Sequence, residues 1–220
     1  MKESYAHVIF QKEHKPYKSK HYDQLYLGST SVLIVGGTTS DISLIPDLEI
    51  LGGHANCELP EVKGAIILNA CLFKHKNDIL LCGGYGSYEK ECLKLETNGW
   101  IYYNDMIYAR EIANAICVEM KHSTYVLGSG TGSDSGYKTS EILKHNSNTW
   151  EIGPSIPGGF GFGGAGCSVR ISKKELLIIG GGLHENRILK LDTDDNTWYN
   201  TSIQLLEGCS GGIHPSVVLK

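Results

Sequence analysis

The sequence lacks several features that define common classes of protein. It contains no run of about 18 apolar residues, so we expect no transmembrane helix. Its first residues include no long apolar stretch of the secretory type, which favours a cytosolic location. The net charge is −4, whereas nucleic-acid-binding domains usually carry a strongly basic face. A membrane-spanning protein and a nucleic-acid-binding protein are therefore not expected.

The cysteines also lack the spacing of two familiar sites. Seven are present, and none is paired as C-x-x-C. Zinc ribbons and thioredoxin-like redox motifs therefore have no support. Cys82 and Cys92 flank a predicted connection between strands and could face each other across a hairpin. A disulfide there would need an oxidising compartment, and two free thiols are the favoured alternative.

What the sequence does contain is a repeat of nearly constant length. Asn98-Gly99-Trp100 returns as Asn148-Thr149-Trp150 and as Asn196-Thr197-Trp198. The steps between the tryptophans are 50 and 48 residues. An apolar run that ends in glycine precedes each copy, and a fourth such run is Leu33 to Gly37. A period near 50 with a diglycine is typical of the blades of a β-propeller.

Each repeat predicts four short strands, as the second one illustrates. Its apolar or alternating segments are residues 70–73, 79–82, 92–96 and 100–103. Gly83-Gly84 ends the second strand, because glycine accepts backbone angles that other residues resist. Thr97-Asn98-Gly99 is a hairpin signal between the third and fourth strands. Asn148 and Asn196 lie at the equivalent hairpins, where asparagine tolerates a left-handed backbone.

The two ends of the chain depart from this plan. The first repeat has Cys57 where a tryptophan is expected, and its first strand is predicted at Tyr22 to Leu27. We therefore expect an N-terminal arm of residues 1–21 and a propeller domain of residues 22–220, with four blades and one extra strand, Ile213 to Leu219. Either the chain is a fragment of a larger ring, which we favour, or Ser4 to Phe10 supplies a closing strand. An unfinished ring would expose a sheet edge, which promotes self-association.

The repeat resembles the kelch family of β-propellers, whose blade type also forms the central domain of galactose oxidase. The resemblance rests on Thr139 to Trp150, on Lys190 to Trp198, and on Ala109-Arg110 before the next blade. Gly128 departs from the family pattern because Ser129, and not a second glycine, follows it. The resemblance implies an all-β kelch-type propeller. It also implies a non-catalytic scaffold that binds a protein partner through loops after the second strands and between blades.

Aromatic and arginine side chains in those loops are the expected binding residues, because such side chains dominate interface energetics. They are Tyr85, Tyr88, Tyr108, Arg110, Phe160 and Phe162. The resemblance also raises an alternative, a carbohydrate-acting or copper-oxidase propeller. That chemistry needs a cysteine-linked tyrosine and two histidine ligands, which the sequence does not assemble recognisably. We therefore predict no catalytic residue, metal or cofactor.

Two glycine-rich segments match the residue pattern of a catalytic or cofactor motif but lack the sequence context that the motif requires. Gly208 to Gly212 matches G-x-S-x-G, but no acidic partner follows and only His214 lies downstream. Gly161 to Gly166 matches G-x-G-x-x-G, but a predicted strand and not a helix follows it. Both stretches are interpreted as loops between blades.

Three cysteines recur at equivalent places on successive first strands: Cys71, Cys117 and Cys167. A ring of thiols could bind a soft metal ion. Unpaired cysteine more often behaves as a small buried hydrophobic residue, which is the interpretation we favour here.

Overall fold

The structure is a computed structural model, and it describes residues 23–26, 32–35, 48–51, 70–84, 90–110, 116–128, 138–157, 167–180 and 187–204. These residues form fifteen β-strands and no α-helix. The strands are β1 Asp23–Tyr26, β2 Val32–Val35, β3 Leu48–Leu51, β4 Cys71–His75, β5 Asp78–Cys82, β6 Glu91–Glu96, β7 Gly99–Asp105, β8 Ile116–Glu119, β9 Ser123–Leu127, β10 Ser140–Lys144, β11 Trp150–Ile152, β12 Cys167–Arg170, β13 Glu175–Ile179, β14 Arg187–Asp192 and β15 Thr197–Gln204.

The strands form four separate antiparallel sheets in chain order. Sheet I contains β1, β2 and β3, and sheets II, III and IV contain β4–β7, β8–β11 and β12–β15. Within each sheet every strand pairs with the next along the chain. The first strands of successive sheets contact one another: β1 contacts β4, β4 contacts β8, and β8 contacts β12. The prediction of an all-β fold built from four-stranded repeats is confirmed for sheets II to IV, and the predicted first strand at Tyr22 to Leu27 is found as β1.

The predicted turns explain where the strands end. Gly83, Gly128 and Gly180 follow the second strands of sheets II, III and IV with φ of 72°, 73° and 69°. This left-handed region favours glycine, so the repeated glycines end these strands for a steric reason. Asn196 has φ of 56°, as expected for its hairpin, whereas Asn148 does not adopt this conformation.

Two hydrophobic cores hold the sheets together. The core between sheets II and III includes Phe73, Leu80, Val126 and Leu143. The core between sheets III and IV includes Tyr125 and Leu127 together with four side chains of sheet IV: Leu176, Ile178, Leu189 and Leu191. Strand β9 contributes to both cores, because successive side chains of a strand point to opposite faces.

The repeated tryptophan is part of this packing. Trp150 of sheet III meets Phe73 of sheet II edge to face, with ring centroids 6.5 Å apart. Its indole N–H donates to Asn104 Oδ1 of sheet II at 2.9 Å. Trp198 of sheet IV packs against the core between sheets III and IV, and its indole N–H donates to Pro154 O at 3.4 Å. Each of these two tryptophans therefore fastens its own sheet to the preceding one.

The cysteines correct one expectation. Cys71 and Cys117 form a disulfide between sheets II and III, so the interpretation of these two residues as unpaired hydrophobic side chains was wrong. Cys82 and Cys92 form a second disulfide across β5 and β6, so the favoured alternative of two thiols was also wrong. The register explains this bond, because Cys82 and Cys92 lie directly opposite each other. No group of metal-binding side chains occurs among the residues that the structure describes.

Several predictions concern parts of the chain outside the described residues. These are the N-terminal arm of residues 1–21 with its closing strand Ser4 to Phe10, the extra strand Ile213 to Leu219, Cys57, and the two glycine-rich motifs Gly161–Gly166 and Gly208–Gly212. In the described ranges no helix has the length and apolar character needed to cross a membrane.

Candidate functional site

The described loops cluster at one end of the sheets, where first strands turn into second strands. In sheet III this turn follows Glu119, and in sheet IV it follows Arg170. The backbone N–H of Lys121 donates to Lys173 O at 3.2 Å. The guanidinium of Arg170 donates to Glu119 O at 3.0 Å. These two bonds hold the turns of neighbouring sheets side by side.

A cavity of about 510 Å³ lies between these two turns. Its lining is formed by Glu119, Met120, Lys121, Arg170, Ile171, Ser172 and Lys173. Ligand-binding pockets typically have volumes of roughly 300–1,000 Å³. Three of the lining side chains are cations and one is a carboxylate. Ile171 adds an exposed apolar surface, with 39% of its side chain accessible. The arrangement suits an anionic ligand that also carries an apolar group.

The single carboxylate of the lining is already engaged on its other side. Glu119 Oε1 accepts the backbone N–H of Lys76 at 2.7 Å. The same oxygen lies 3.6 Å from Nε2 of His145. These contacts come from sheet II and from the second hairpin of sheet III, so Glu119 helps to join three turns. Because three cations and only this one carboxylate line the cavity, the net charge of its lining is positive.

A second acidic group near these turns forms its ion pair outside the cavity. Lys174 forms an ion pair with Asp194 at the exposed end of sheet IV. Hydrogen bonding to Lys174 lowers the pKa of Asp194, and the charges of Lys121 and His122 act in the same direction. Asp194 therefore stays ionised and pairs with Lys174, which does not line the cavity.

Beneath this end of the sheets lies a pair of histidines. The rings of His75 and His145 meet edge to face at 5.1 Å. His75 is fully buried, and its Nδ1 shares a hydrogen bond of 2.9 Å with Thr124 Oγ1. Burial first, and then the charges of His145 and Lys76, lower the pKa of His75 to about 4. A neutral, fully buried imidazole cannot contact a substrate, so His75 is a structural group.

The residue predicted to be the principal binding arginine is also structural. Arg110 follows the last strand of sheet II, and its side chain has 0% exposure. Its Nε and Nη2 donate to Glu141 Oε1 at 3.0 and 2.9 Å, and Nη2 also donates to Thr139 Oγ1 at 3.1 Å. A further bond runs from Nη1 to Gly128 O. The expectation that Arg110 contacts a partner does not fit this burial; the side chain ties sheet II to sheet III.

Glu141 completes the same network. Its carboxylate accepts the backbone N–H groups of Ile107 and Tyr108 at 2.6 and 3.1 Å. Burial lowers the pKa of Arg110, and the charge of Glu141 opposes that effect. A guanidinium keeps its charge in proteins, so the pair is a buried salt bridge with its hydrogen bonds satisfied.

The other predicted binding residues are placed differently. Tyr108 is half-buried, and its ring lies 5.9 Å from the guanidinium carbon of Arg110. Four of the predicted residues lie outside the described residues: Tyr85, Tyr88, Phe160 and Phe162. The two predicted binding residues that the structure describes, Tyr108 and Arg110, lie together in the connection from sheet II to sheet III.

The cavity residues were missed in the sequence, although a signal for them exists. Glu119 lies 19 residues after Trp100, and Arg170 lies 20 residues after Trp150. Such nearly equal offsets place both residues at the same turn of successive repeats. Comparing the charged residues at and just after this offset, which include Lys121 and Lys173, would have indicated the lining of the cavity.

Comparisons with known proteins give information about the fold only. No protein-family model matches the chain, and no curated protein matches it. Among solved structures, YjhT is similar with a TM-score of 0.65 at 15% sequence identity. The similarity covers 88% of this chain and 68% of the YjhT chain. It indicates a shared β-rich fold.

Proposed function

We propose that this chain is a kelch-like β-propeller that binds a protein partner and has no catalytic activity. Three four-stranded antiparallel sheets that meet through their first strands support the propeller. The repeat of tryptophans and glycines supports the kelch resemblance. Rigid sheets that present loops at their ends are a common basis for recognition.

The observation that carries the proposed binding role is the cationic cavity between sheets III and IV. Lys121, Arg170 and Lys173 surround it, and Ile171 is exposed at its edge. An acidic segment of a protein, with an apolar side chain beside its carboxylates, matches this lining. Complementary charge of this kind speeds association and selects partners. The expected partner is therefore a protein with an acidic and partly apolar segment.

The loops at the opposite ends of the sheets form a second proposed contact surface. The sequence assigns to this surface the connections that follow second strands and those between blades. Tyr85, Tyr88, Tyr108, Phe160 and Phe162 belong to these connections. Arg110 is omitted, because its side chain is buried against Glu141.

Binding of a labelled acidic peptide to the full chain tests the first surface. The probe is a short fluorescein-labelled peptide of Glu, Asp and Leu, and the measurement is fluorescence anisotropy. The double variant Lys121→Gln/Lys173→Gln should weaken binding about tenfold, equivalent to about 1.4 kcal/mol. The backbone bond between these two residues is retained in the variant, because it does not use their side chains.

The control variant is Lys144→Gln, whose lysine is half-exposed, pairs with Glu151 and does not line the cavity. It should leave the affinity unchanged, and a peptide in which lysine replaces the acidic residues should not bind. Equal affinity of the wild-type chain and the double variant would contradict the proposed surface. Binding of copper or of a simple sugar, measured by calorimetry, would favour the alternative of an oxidase or carbohydrate-acting propeller.

A further inference from the structure

Four cysteines lie in a single row across the interface of sheets II and III. Cys71, Cys82 and Cys92 occupy the adjacent strands β4, β5 and β6, and each lies directly opposite the next in the register. Cys117 lies on β8, the first strand of the neighbouring sheet. All four contribute to the core between sheets II and III. The two disulfides join the ends of the row: Cys117 to Cys71, and Cys82 to Cys92.

The row places the two disulfides next to each other. Cys71 and Cys82 are opposite residues of an antiparallel pair, so their side chains leave the sheet on the same face. The Cα atoms of such residues lie about 4.5–5.5 Å apart. Disulfides typically join Cα atoms roughly 4.4–6.8 Å apart. Cys71 is thus within bonding reach of Cys82 as well as of Cys117, whose Cα lies 6.3 Å away.

Access to the row is limited to one end. Cys82 and Cys92 have 0% exposure and Cys71 has 5%, whereas Cys117 is only partly buried. Of the four residues, Cys117 is therefore the most accessible to a dissolved thiol. Attack at that sulfur expels the sulfur of Cys71 as a thiolate, because the entering and leaving groups lie on opposite sides of the attacked atom.

We propose that these four cysteines form a thiol–disulfide exchange site whose substrate is a dithiol reductant. One thiolate of the dithiol attacks Cys117 Sγ, forms a mixed disulfide and releases the Cys71 thiolate. That thiolate attacks Cys82 Sγ, forms the Cys71–Cys82 bond and releases the Cys92 thiolate, which takes up a proton. The second thiol of the dithiol then attacks the mixed disulfide, leaves as a cyclic disulfide and frees the Cys117 thiol.

The net reaction transfers two electrons and two protons to the protein. One dithiol is oxidised, and two protein disulfides are replaced by a single new one. Reduction begins at Cys117, and the second thiol appears at Cys92 on β6, two strands away from β4 on the same face of sheet II. The covalent link between sheets II and III is lost, while a link within sheet II remains. The inference does not depend on the proposed binding function.

Disulfide mapping of the full chain tests the proposal, because trypsin separates all four cysteines. Cleavage after lysine and arginine places Cys71 in residues 64–74, Cys82 in 77–90, Cys92 in 91–94 and Cys117 in 111–121. The oxidised chain is treated with one equivalent of dithiothreitol, quenched with acid and N-ethylmaleimide, and digested. The expected product is peptide 64–74 linked to 77–90, with Cys92 and Cys117 alkylated.

Three other results would overturn the proposal. The first is alkylation of Cys71 and Cys117 with the Cys82–Cys92 bond intact. The second is alkylation of Cys82 and Cys92 with the Cys71–Cys117 bond intact. The third is the absence of either disulfide from the oxidised chain before reduction. Each would show that the row does not exchange bonds in the proposed order.

Two variants separate relayed exchange from simple reduction. In Cys117→Ser, Cys71 is a thiol from the start, so the Cys71–Cys82 bond should form without any reductant and Cys92 should become alkylated. In Cys82→Ser, the acceptor is missing, so one equivalent of dithiothreitol should leave both Cys71 and Cys117 alkylated. If a variant does not fold, the mapping of the wild-type chain alone still decides the order of exchange.

Discussion

The two interfaces between sheets II, III and IV use the same repeat but different chemistry. The interface of sheets II and III contains the Cys71–Cys117 disulfide that joins them, the Cys82–Cys92 disulfide within sheet II, the buried Arg110–Glu141 pair and the His75–His145 pair. Between sheets III and IV lies a core that is mainly aliphatic. Its centre is formed by Leu176, Ile178, Leu189 and Leu191, each with at most 1% exposure.

The two interfaces share one architecture but should differ in how strongly their stability depends on pH and on redox conditions. Aliphatic burial stabilises an interface whatever the redox state or the pH. Disulfides and buried titratable groups stabilise an interface only under conditions that keep them oxidised or in the correct protonation state. The interface of sheets II and III should therefore respond to acid and to reductants, whereas the interface of sheets III and IV should not.

The largest expected effect is the loss of the buried ion pair. Arg110→Ala leaves the carboxylate of Glu141 buried without its guanidinium, and such a change typically costs about 3–5 kcal/mol. The measurement is the free energy of unfolding from urea denaturation. The double variant Arg110→Met/Glu141→Leu should recover most of the loss, because it leaves no buried charge. A cost below about 1 kcal/mol in Arg110→Ala would contradict the structural role of this residue.

Removal of the disulfide between the sheets should have the next largest effect. The double variant Cys71→Ser/Cys117→Ser opens a loop that spans 46 residues, and loop-closure entropy then predicts a loss of about 4 kcal/mol. Cys82→Ser/Cys92→Ser opens a connection of 10 residues and should cost about 3 kcal/mol. Thermal unfolding under oxidising conditions compares the two. Equal stability of the first variant and the wild type would mean that this bond does not constrain the chain.

Acid should weaken the same interface through His75. Its pKa is about 4 in the folded chain and about 6.5 in the unfolded chain, so the unfolded chain binds the proton more tightly. The stabilisation is complete above pH 6.5 and is lost as the pH falls toward 4. Between pH 8 and pH 5 the free energy of unfolding should fall by about 2 kcal/mol from this residue.

Urea titrations at the two pH values measure this effect. In His75→Gln the pH-dependent difference should shrink by that amount. The matched control is His122→Gln, which removes an exposed histidine in place of the buried one. An unchanged pH dependence in His75→Gln would show that another group is responsible.

The smallest expected effect concerns two tyrosine hydrogen bonds, one across each interface of sheet III. Tyr125 donates to Asn196 Oδ1 of sheet IV at 2.7 Å, whereas Tyr103 of sheet II donates to Asn148 Oδ1 of sheet III at 3.2 Å in an exposed position. Tyr125→Phe should cost about 1 kcal/mol, and Tyr103→Phe less. Urea denaturation of the two variants measures the difference. A larger cost for Tyr103→Phe would reverse this ranking of the two bonds.

The stability of the chain at alkaline pH gives a second test of the Tyr125 hydrogen bond. Burial first, and then Asp194 and Asp192, raise the pKa of Tyr125 to about 12. Its stabilisation is therefore complete below pH 10 and is lost as the pH rises toward 12. The wild-type chain should lose stability over this range, and Tyr125→Phe should lose less.

The sequence predicted the strands and turns well because these depend on local patterns. The apolar segment 79–82 is found in β5, and Gly83 has the left-handed backbone expected after it. The hairpin at Thr97-Asn98 is also found, since Glu96 pairs with Gly99. Strand register and turn type depend on residues that are close together in the sequence, so they can be predicted from a single sequence.

The long-range partners could not be read in the same way. Arg110 and Glu141 are 31 residues apart, and no residue near Arg110 in the sequence indicates that it pairs with a buried carboxylate. An arginine after a strand is equally compatible with an exposed contact, which is how it was first interpreted. Cys71 and Cys117 were correctly placed on equivalent first strands, but their bond depends on how closely two sheets approach.

The contacts of Glu141 also bear on how the chain is completed during synthesis. Residues 107, 108 and 110 leave the ribosome before Glu141, which follows Arg110 by 31 residues. At a translation rate of about 5–20 residues per second, this delay lasts roughly 2–6 seconds. In that interval the donors at the end of sheet II bond to water, because their acceptor in the folded chain belongs to the next repeat. The end of sheet II therefore acquires its native hydrogen bonds only after β10 has emerged.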